Sequence, residues 1–474
     1  MFSFIICLVA LIVGYVVYGR YIERVFTPDL KRVTPAVTKN DGIDFMPLPI
    51  WKIFMIQFLN IAGLGPIFGA IMGAKFGTAS YLWIVLGSIL AGAVHDYFSG
   101  MLSIRHDGES LPELVGRYLG VTTKQVMRVF TVILMVLVGA VFVAGPAGLL
   151  AKLTPEHLDT MFWIFVVFIY YMLATLLPID KIIGKIYPLF AIALLFMAVG
   201  ILVMLFVVNP ELPEFWDGLH NTHPNASNLP IFPIMFVSIA CGAISGFHAT
   251  QSPMMARCMT NEKYGRPVFY GAMVTEGIVA LIWAAAANYF YHENGMAENN
   301  ASIIVDSITK EWLGSIGGFL AILGVIAAPI TSGDTALRSA RLIVADFMKM
   351  EQKSIRSRLY ICIPIFLASI GILIYSLKDA SGFDMIWRYF AWANQTLSVF
   401  TLWAITVYLV LHGKNYWITL IPALFMTAVC STYLSIAPEG FGLGVTASYS
   451  VGFACVVIAI IWFGWWYRKV KSQL

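Results

Sequence analysis

The sequence predicts an all-α membrane protein of about thirteen transmembrane helices, arranged as a five-plus-five inverted repeat with two broken helices and extra helices at both ends. Three observations predict it. The 474-residue chain is 59% hydrophobic and 12% charged, with a mean hydropathy of +0.81, where a soluble protein carries about 25% charged residues. Its loops alternate in Lys and Arg content at every crossing. Two distant apolar segments are interrupted in the same manner, each by a run rich in small residues that ends in Pro.

The spans follow from windows of about 20 apolar residues. They fall near 2–19, 50–77, 78–103, 123–150, 158–177, 183–208, 231–256, 266–291, 314–337, 358–377, 384–411, 416–436 and 447–467. The first has no basic region before it, and Arg20, Arg24, Lys31 and Arg32 follow it. It reads as a retained helix with its N-terminus outside, not as a signal peptide. Lys and Arg then mark alternate loops as cytoplasmic: Arg105, Arg117 and Lys124; Lys181 and Lys185; Arg257 and Lys263; Arg338, Arg341 and Lys349; Lys414; and Arg468, Lys469 and Lys471. The loops holding Glu211, Glu214 and Asp217, and Glu293 and Glu298, read as external. The C-terminus is then cytoplasmic.

In this topology the second span runs inside to outside and the seventh outside to inside. Both are broken, and five spans separate their starts, the layout of two inverted five-helix units. One transmembrane domain fills residues 1–474. It divides into an extra helix at 2–19, a first repeat at 50–208, a second repeat at 231–411 and extra helices at 416–467. The six cysteines (Cys7, Cys241, Cys258, Cys362, Cys430 and Cys455) show no metal-ligand spacing and read as small buried hydrophobes. The net charge of +4 is spread over short loops and does not suggest nucleic acid.

The breaks carry the candidate substrate site. The first is Asn60-Ile-Ala-Gly-Leu-Gly-Pro66 and the second Ser245-Gly-Phe-His-Ala-Thr-Gln-Ser-Pro253. Irregular backbone at membrane depth is tolerated only when buried in protein or lining a wet cavity. Gly65-Pro66 and Ser252-Pro253 look like N-caps with Pro at the first helical position. Each would start a half-helix whose free N–H groups suit a carboxylate, while the preceding half ends in carbonyls that suit a cation. The alternative is a packing kink. Substrate-binding candidates are Gln57, Asn60, Gly63, Leu64 and Gly65 in the first segment, and Ser245, Gly246, His248, Gln251 and Ser252 in the second. Glu276, near mid-depth of the eighth span, joins them.

Ion coupling has two candidate clusters. In Thr331-Ser-Gly-Asp-Thr-Ala-Leu-Arg338, Asp334 and Arg338 share a helix face and are expected to pair. Thr331 and Ser332, beside the first break, offer hydroxyls for Na⁺, or Asp334 carries a proton. His95 and Asp96 in the third span form a candidate proton relay, because ionisable groups in the membrane default to function. Their alternative is hydration or capping near the interface. A polar stripe of Asn394, Gln395 and Ser398 reads as a helix contact. No nucleotide loop, hydrolase motif or cofactor signature appears, so a driven process must draw on an ion gradient.

Several stretches resemble the carbon starvation protein A family: Asn60-Ile-Ala-Gly-Leu-Gly-Pro66, Leu90-Ala-Gly-Ala-Val-His-Asp96, Arg105-His-Asp-Gly108, Ala240-Cys-Gly-Ala-Ile-Ser-Gly-Phe-His248, Thr331-Ser-Gly-Asp-Thr335 and Trp392-Ala-Asn-Gln395. The resemblance spans nearly the whole chain. It implies a leucine-transporter-like fold of the amino acid–polyamine–organocation superfamily. It implies a bacterial inner-membrane carrier used in the starvation response, with no cofactor and H⁺ or Na⁺ as coupling ion. It also implies a small-molecule partner, either a peptide or, as the alternative, pyruvate in proton symport. A solute sensor ranks lower, because the inner loops are too short for a signalling module. The other expected partner is membrane lipid; the oligomeric state stays open.

Overall fold

The computed structural model describes residues 1–177, 183–298, 300–377 and 382–472. Lys181, one of the predicted cytoplasmic charges, lies outside them. The described residues form helices and no strands. Ten helices are long and apolar enough to cross a membrane: Phe2–Phe26, Ala79–Arg105, Val121–Leu153, Tyr187–Val208, Glu262–Asn294, Gly317–Met348, Ile355–Ser376, Met385–Leu411, Trp417–Ile436 and Val445–Lys471. The pair Ile50–Ile61 and Gly65–Ala74, bent by 52°, makes an eleventh. Thr160–Leu176 is a shorter apolar helix.

Burial separates a centre from a rim. In its most apolar stretch Glu262–Asn294 is 89% buried, while Val445–Lys471 is 11% buried. Exposed Phe453, Ile458, Ile461 and Trp462 show that the last helix is left largely uncovered by the rest of the chain.

Loops predicted to share a side touch one another. On one side, the Met1 ammonium meets Glu214 and Thr78 Oγ1 donates to the Gly218 carbonyl. There too, Lys75 Nζ donates to the carbonyls of Met296 and Glu298. On the other side, Arg105 bonds Glu262 at 3.1 Å, Arg266 bonds Glu23, and Lys414 reaches the Val25 carbonyl. The charge alternation therefore sorted the loops into two sets that are two sets in space.

Two elements were not anticipated. Leu111–Leu119 is a short helix on the Lys-rich side. Residues 301–313 form a helical segment that meets the following span at Gly314, where φ of +66° and ψ of −171° turn the chain in a region that favours glycine.

Candidate functional site

The first break occupies only residues 62–64, between Ile50–Ile61 and the half-helix that starts at Gly65. Its position matches the sequence expectation. The second does not. Short helical turns at Ile231–Met235 and Phe236–Ser238 end at Ile239, irregular chain follows, and the half-helix runs His248–Ala256. Ser252 is therefore not its N-cap, and Pro253 lies inside the helix. Ser252 Oγ instead donates to the His248 carbonyl one turn back, at 3.1 Å. A Ser-Pro pair reads as a helix start from sequence, but this Pro is carried within a turn that began five residues earlier.

The free N–H groups expected at the second break are also taken. Asn394 Oδ1 accepts from Phe247 N at 2.7 Å and from Ser245 Oγ at 2.9 Å, and the Asn394 carbonyl accepts from Gly246 N. Gln395 Nε2 donates to the Ile244 carbonyl at 3.0 Å. The stripe on Met385–Leu411 is thus the clasp of this break. A Cβ on Gly246 would stand 2.4 Å from the Asn394 carbonyl, so this residue is small for packing. Gly65 has the same reason: a Cβ there would stand 2.2 Å from Cys241 Cβ, which places the two breaks in direct contact. A Cβ on Gly63 would meet Phe142 and Ser332, and the Leu64 side chain covers Gly145.

Between the breaks, Gln57 Nε2 donates to Ser252 Oγ at 3.3 Å. Because Ser252 already donates to His248, it must accept from Gln57, which fixes the amide orientation. Gln251 is fixed likewise: its Nε2 faces Thr250 Oγ1 at 2.8 Å, and that hydroxyl donates to the Phe247 carbonyl. Gln57 Oε1, Gln251 Oε1 and both amide atoms of Asn60 are then buried without a hydrogen-bond partner. Such atoms are rare and need an explanation.

Four titratable groups that the sequence scattered over three segments form one buried chain. His95 Nδ1 lies 2.8 Å from Asp96 Oδ1, and His248 Nδ1 lies 3.0 Å from Asp96 Oδ2. His248 Nε2 lies 3.4 Å from Glu276 Oε2. All four side chains are fully buried. With Asp96 ionised, both Nδ1 atoms donate to it. His248 Nε2 and both Glu276 carboxyl oxygens have no hydrogen-bond partner among the described residues, and the 3.4 Å separation leaves the imidazole between two carboxyl groups. An imidazole set between two carboxylates is an arrangement that can accept and release a proton.

Asp334 departs from expectation. It does not pair with Arg338, which instead bonds Asp44 at 2.8 Å and the backbone carbonyls of Ala174 and Leu177. Arg341 grips the same Asp44 through both carboxylate oxygens at 3.0 Å. The spacing rule reports only local neighbours; the longer reach of Arg338 finds a carboxylate that two guanidinium groups share. Asp334 Oδ1 stands against the Tyr187 hydroxyl, whose one proton is shared between that carboxylate and the Thr331 carbonyl at 2.8 Å. Ser332 does stand beside the first break, donating to the Leu59 carbonyl at 3.1 Å, while Thr331 donates to Ala327 and Ala328 of its own helix. Tyr187 and Asp44 carried no motif, and nothing in the sequence singled them out.

A model of the family described as carbon starvation protein CstA matches residues 1–156, 151–312 and 293–433. The chain belongs to that family. An uncharacterized membrane protein of Haemophilus influenzae is 44% identical over 349 residues, covering 64% of this chain and 94% of that protein. The peptide transporter CstA of Campylobacter jejuni is 26% identical over 545 residues, covering 87% and 77%. The pyruvate/proton symporter BtsT of Escherichia coli is 27% identical over 339 residues, covering 58% and 47%. In three dimensions, a manganese transporter of Eremococcus coleocola aligns with a TM-score of 0.55 at 12% identity, covering 91% of this chain and 99% of that one. A Na⁺-coupled sialic acid symporter aligns with a TM-score of 0.54 at 14% identity, covering 97% and 96%. At such identities the likeness is one of fold. This is an integral membrane protein with a transporter fold.

Proposed function

We propose that the chain is a secondary active transporter that takes up small organic nutrients, peptides foremost, across a bacterial inner membrane with H⁺ as the coupling ion. In this reading thirteen spans form two inverted five-helix units, with the N-terminus outside and the C-terminus cytoplasmic. The observation that carries it is the buried row His95–Asp96–His248–Glu276, which joins the second break to two neighbouring helices. Holding four titratable groups out of water is costly, and proton coupling gives that cost a purpose. Na⁺ at Thr331 and Ser332 is the second reading for the coupling ion: each hydroxyl donates its proton to a carbonyl and keeps lone pairs for a cation.

The bare atoms at the breaks favour peptides. Gln57 Oε1, Gln251 Oε1 and Asn60 Oδ1 are acceptors awaiting donors, and an ammonium group is a donor in three directions. Pyruvate has no such group. It remains the alternative because a relative carries that activity in its name. The test is uptake into proteoliposomes under an imposed pH gradient. Dipeptide accumulation that collapses with the gradient supports the proposal. Pyruvate accumulation alone would move the assignment to the alternative, and failure of both with solute binding intact would leave a sensor.

A further inference from the structure

A concavity lies away from the breaks. It is a groove of about 410 Å³ walled by Tyr118, Phe400, Trp403, Trp462, Phe463 and Trp466. Its walls come from Leu111–Leu119, Met385–Leu411 and the last helix, Val445–Lys471. The lining from Ala459 to Trp466 spans about 10 Å along the helix axis at 1.5 Å per residue, the reach of part of one acyl chain.

Cations follow its lining residues closely along the chain. On the last helix, Lys469 lies three residues beyond Trp466 and so continues the groove face; its ammonium stands over the Trp465 ring. Among the described residues no carboxylate pairs with Arg468, Lys469 or Lys471. On the opposite wall Lys124, beside the lining residue Thr123, shares the single carboxylate of Glu113 with Arg128, which leaves one positive charge over. Apolar depth below and uncompensated cations above match an amphiphile with an anionic head.

We propose that this groove is a specific site for one anionic phospholipid of the leaflet on the C-terminal side, with an acyl chain against Trp403, Trp462 and Trp466 and its phosphate between Lys469 and Lys124. A second copy of the chain fits less well. A two-fold contact within a membrane sets equal groups at equal depth, so it would bring the cationic ends of the two last helices together.

The test uses the full chain in detergent, with phosphatidylglycerol and phosphatidylcholine compared by native mass spectrometry and by thermal unfolding. The expected result is preferential retention of phosphatidylglycerol and a higher unfolding temperature with it. Lys469→Gln should cut that preference about fivefold, the effect of one cation beside an anionic surface. Val399→Trp, which fills the groove from Met385–Leu411, should abolish retention of both lipids. Equal retention of the two lipids, or a preference unchanged in Lys469→Gln, would overturn the proposal. So would a dimer whose contact is lost in Val399→Trp. Lys469 is exposed, so its variant tests the site without touching the core.

Discussion

The two broken helices look alike in sequence and differ in construction. The first is a gap of three residues between two stretches of one helix, bent by 52°. Its polar groups are neutral, and several are bare. The second is a longer irregular stretch whose backbone is clasped by Asn394 and Gln395 from another helix. Its half-helix opens with His248, the centre of the titratable row. The difference separates two tasks. Under the proposed function, the first break would offer hydrogen bonds to a solute and the second would hold the proton.

The strongest way to break this division is Asp96→Asn. It removes the charged acceptor of two imidazole N–H groups and should lower gradient-driven uptake by about 10²-fold or more, the scale of a lost acid–base group. Solute exchange without a gradient should survive, measured as counterflow in proteoliposomes. If gradient-driven uptake persists, the row is structural. Asn394→Ala comes next. It leaves a buried N–H unpaired and frees Ser245, at a cost of about 2–4 kcal/mol in stability, read from thermal unfolding. Gln57→Leu, at the first break, should raise KM for amine-bearing solutes by about tenfold, as one lost hydrogen bond to a charged group does, with the pH profile unchanged. Asp334→Asn should reduce uptake several-fold, with its dependence on the pH gradient retained.

The smallest effect concerns Asp44, outside the spans. Burial would raise its carboxyl, but the guanidinium groups of Arg341, Arg338 and Arg257 hold it below the usual carboxylate range. A group depressed in the folded state contributes stability fully present above its unfolded value, about 3.9, and lost only as pH falls through the folded one. Asp44 should therefore add no slope to stability between pH 5 and 8. Comparing the unfolding temperature of wild type and Asp44→Asn across that range checks this: the two curves should run parallel.

What sequence could reveal depended on the range of the interaction. Apolar windows and loop charge are local properties of the sequence, and the contacts of Glu214 with Met1 and of Glu262 with Arg105 join loops that were expected to share a side. The first break was legible because Gly63, Gly65 and Pro66 interrupt the helix where they stand. The second was misplaced because Ser252-Pro253 imitates a cap. Its true start depends on Asn394, 147 residues from Phe247. The titratable residues were each visible as intramembrane anomalies, but their order in space came from three helices meeting. Asp334 and Arg338 failed as a pair because Asp44, 294 residues from Arg338, competes for the same guanidinium.

The Asn394 clasp has a consequence for anyone wishing to redirect this carrier toward new cargo. Around residues 244–247 the shape of the chain is dictated by a neighbour's side chain, so substitutions there would unfasten the scaffold before they altered selectivity. At the first break the constraint is lighter: Gln57 makes one side-chain hydrogen bond, to Ser252, and the Asn60 amide makes none among the described residues. Libraries aimed at those two positions should keep the engine running while the seat is recut.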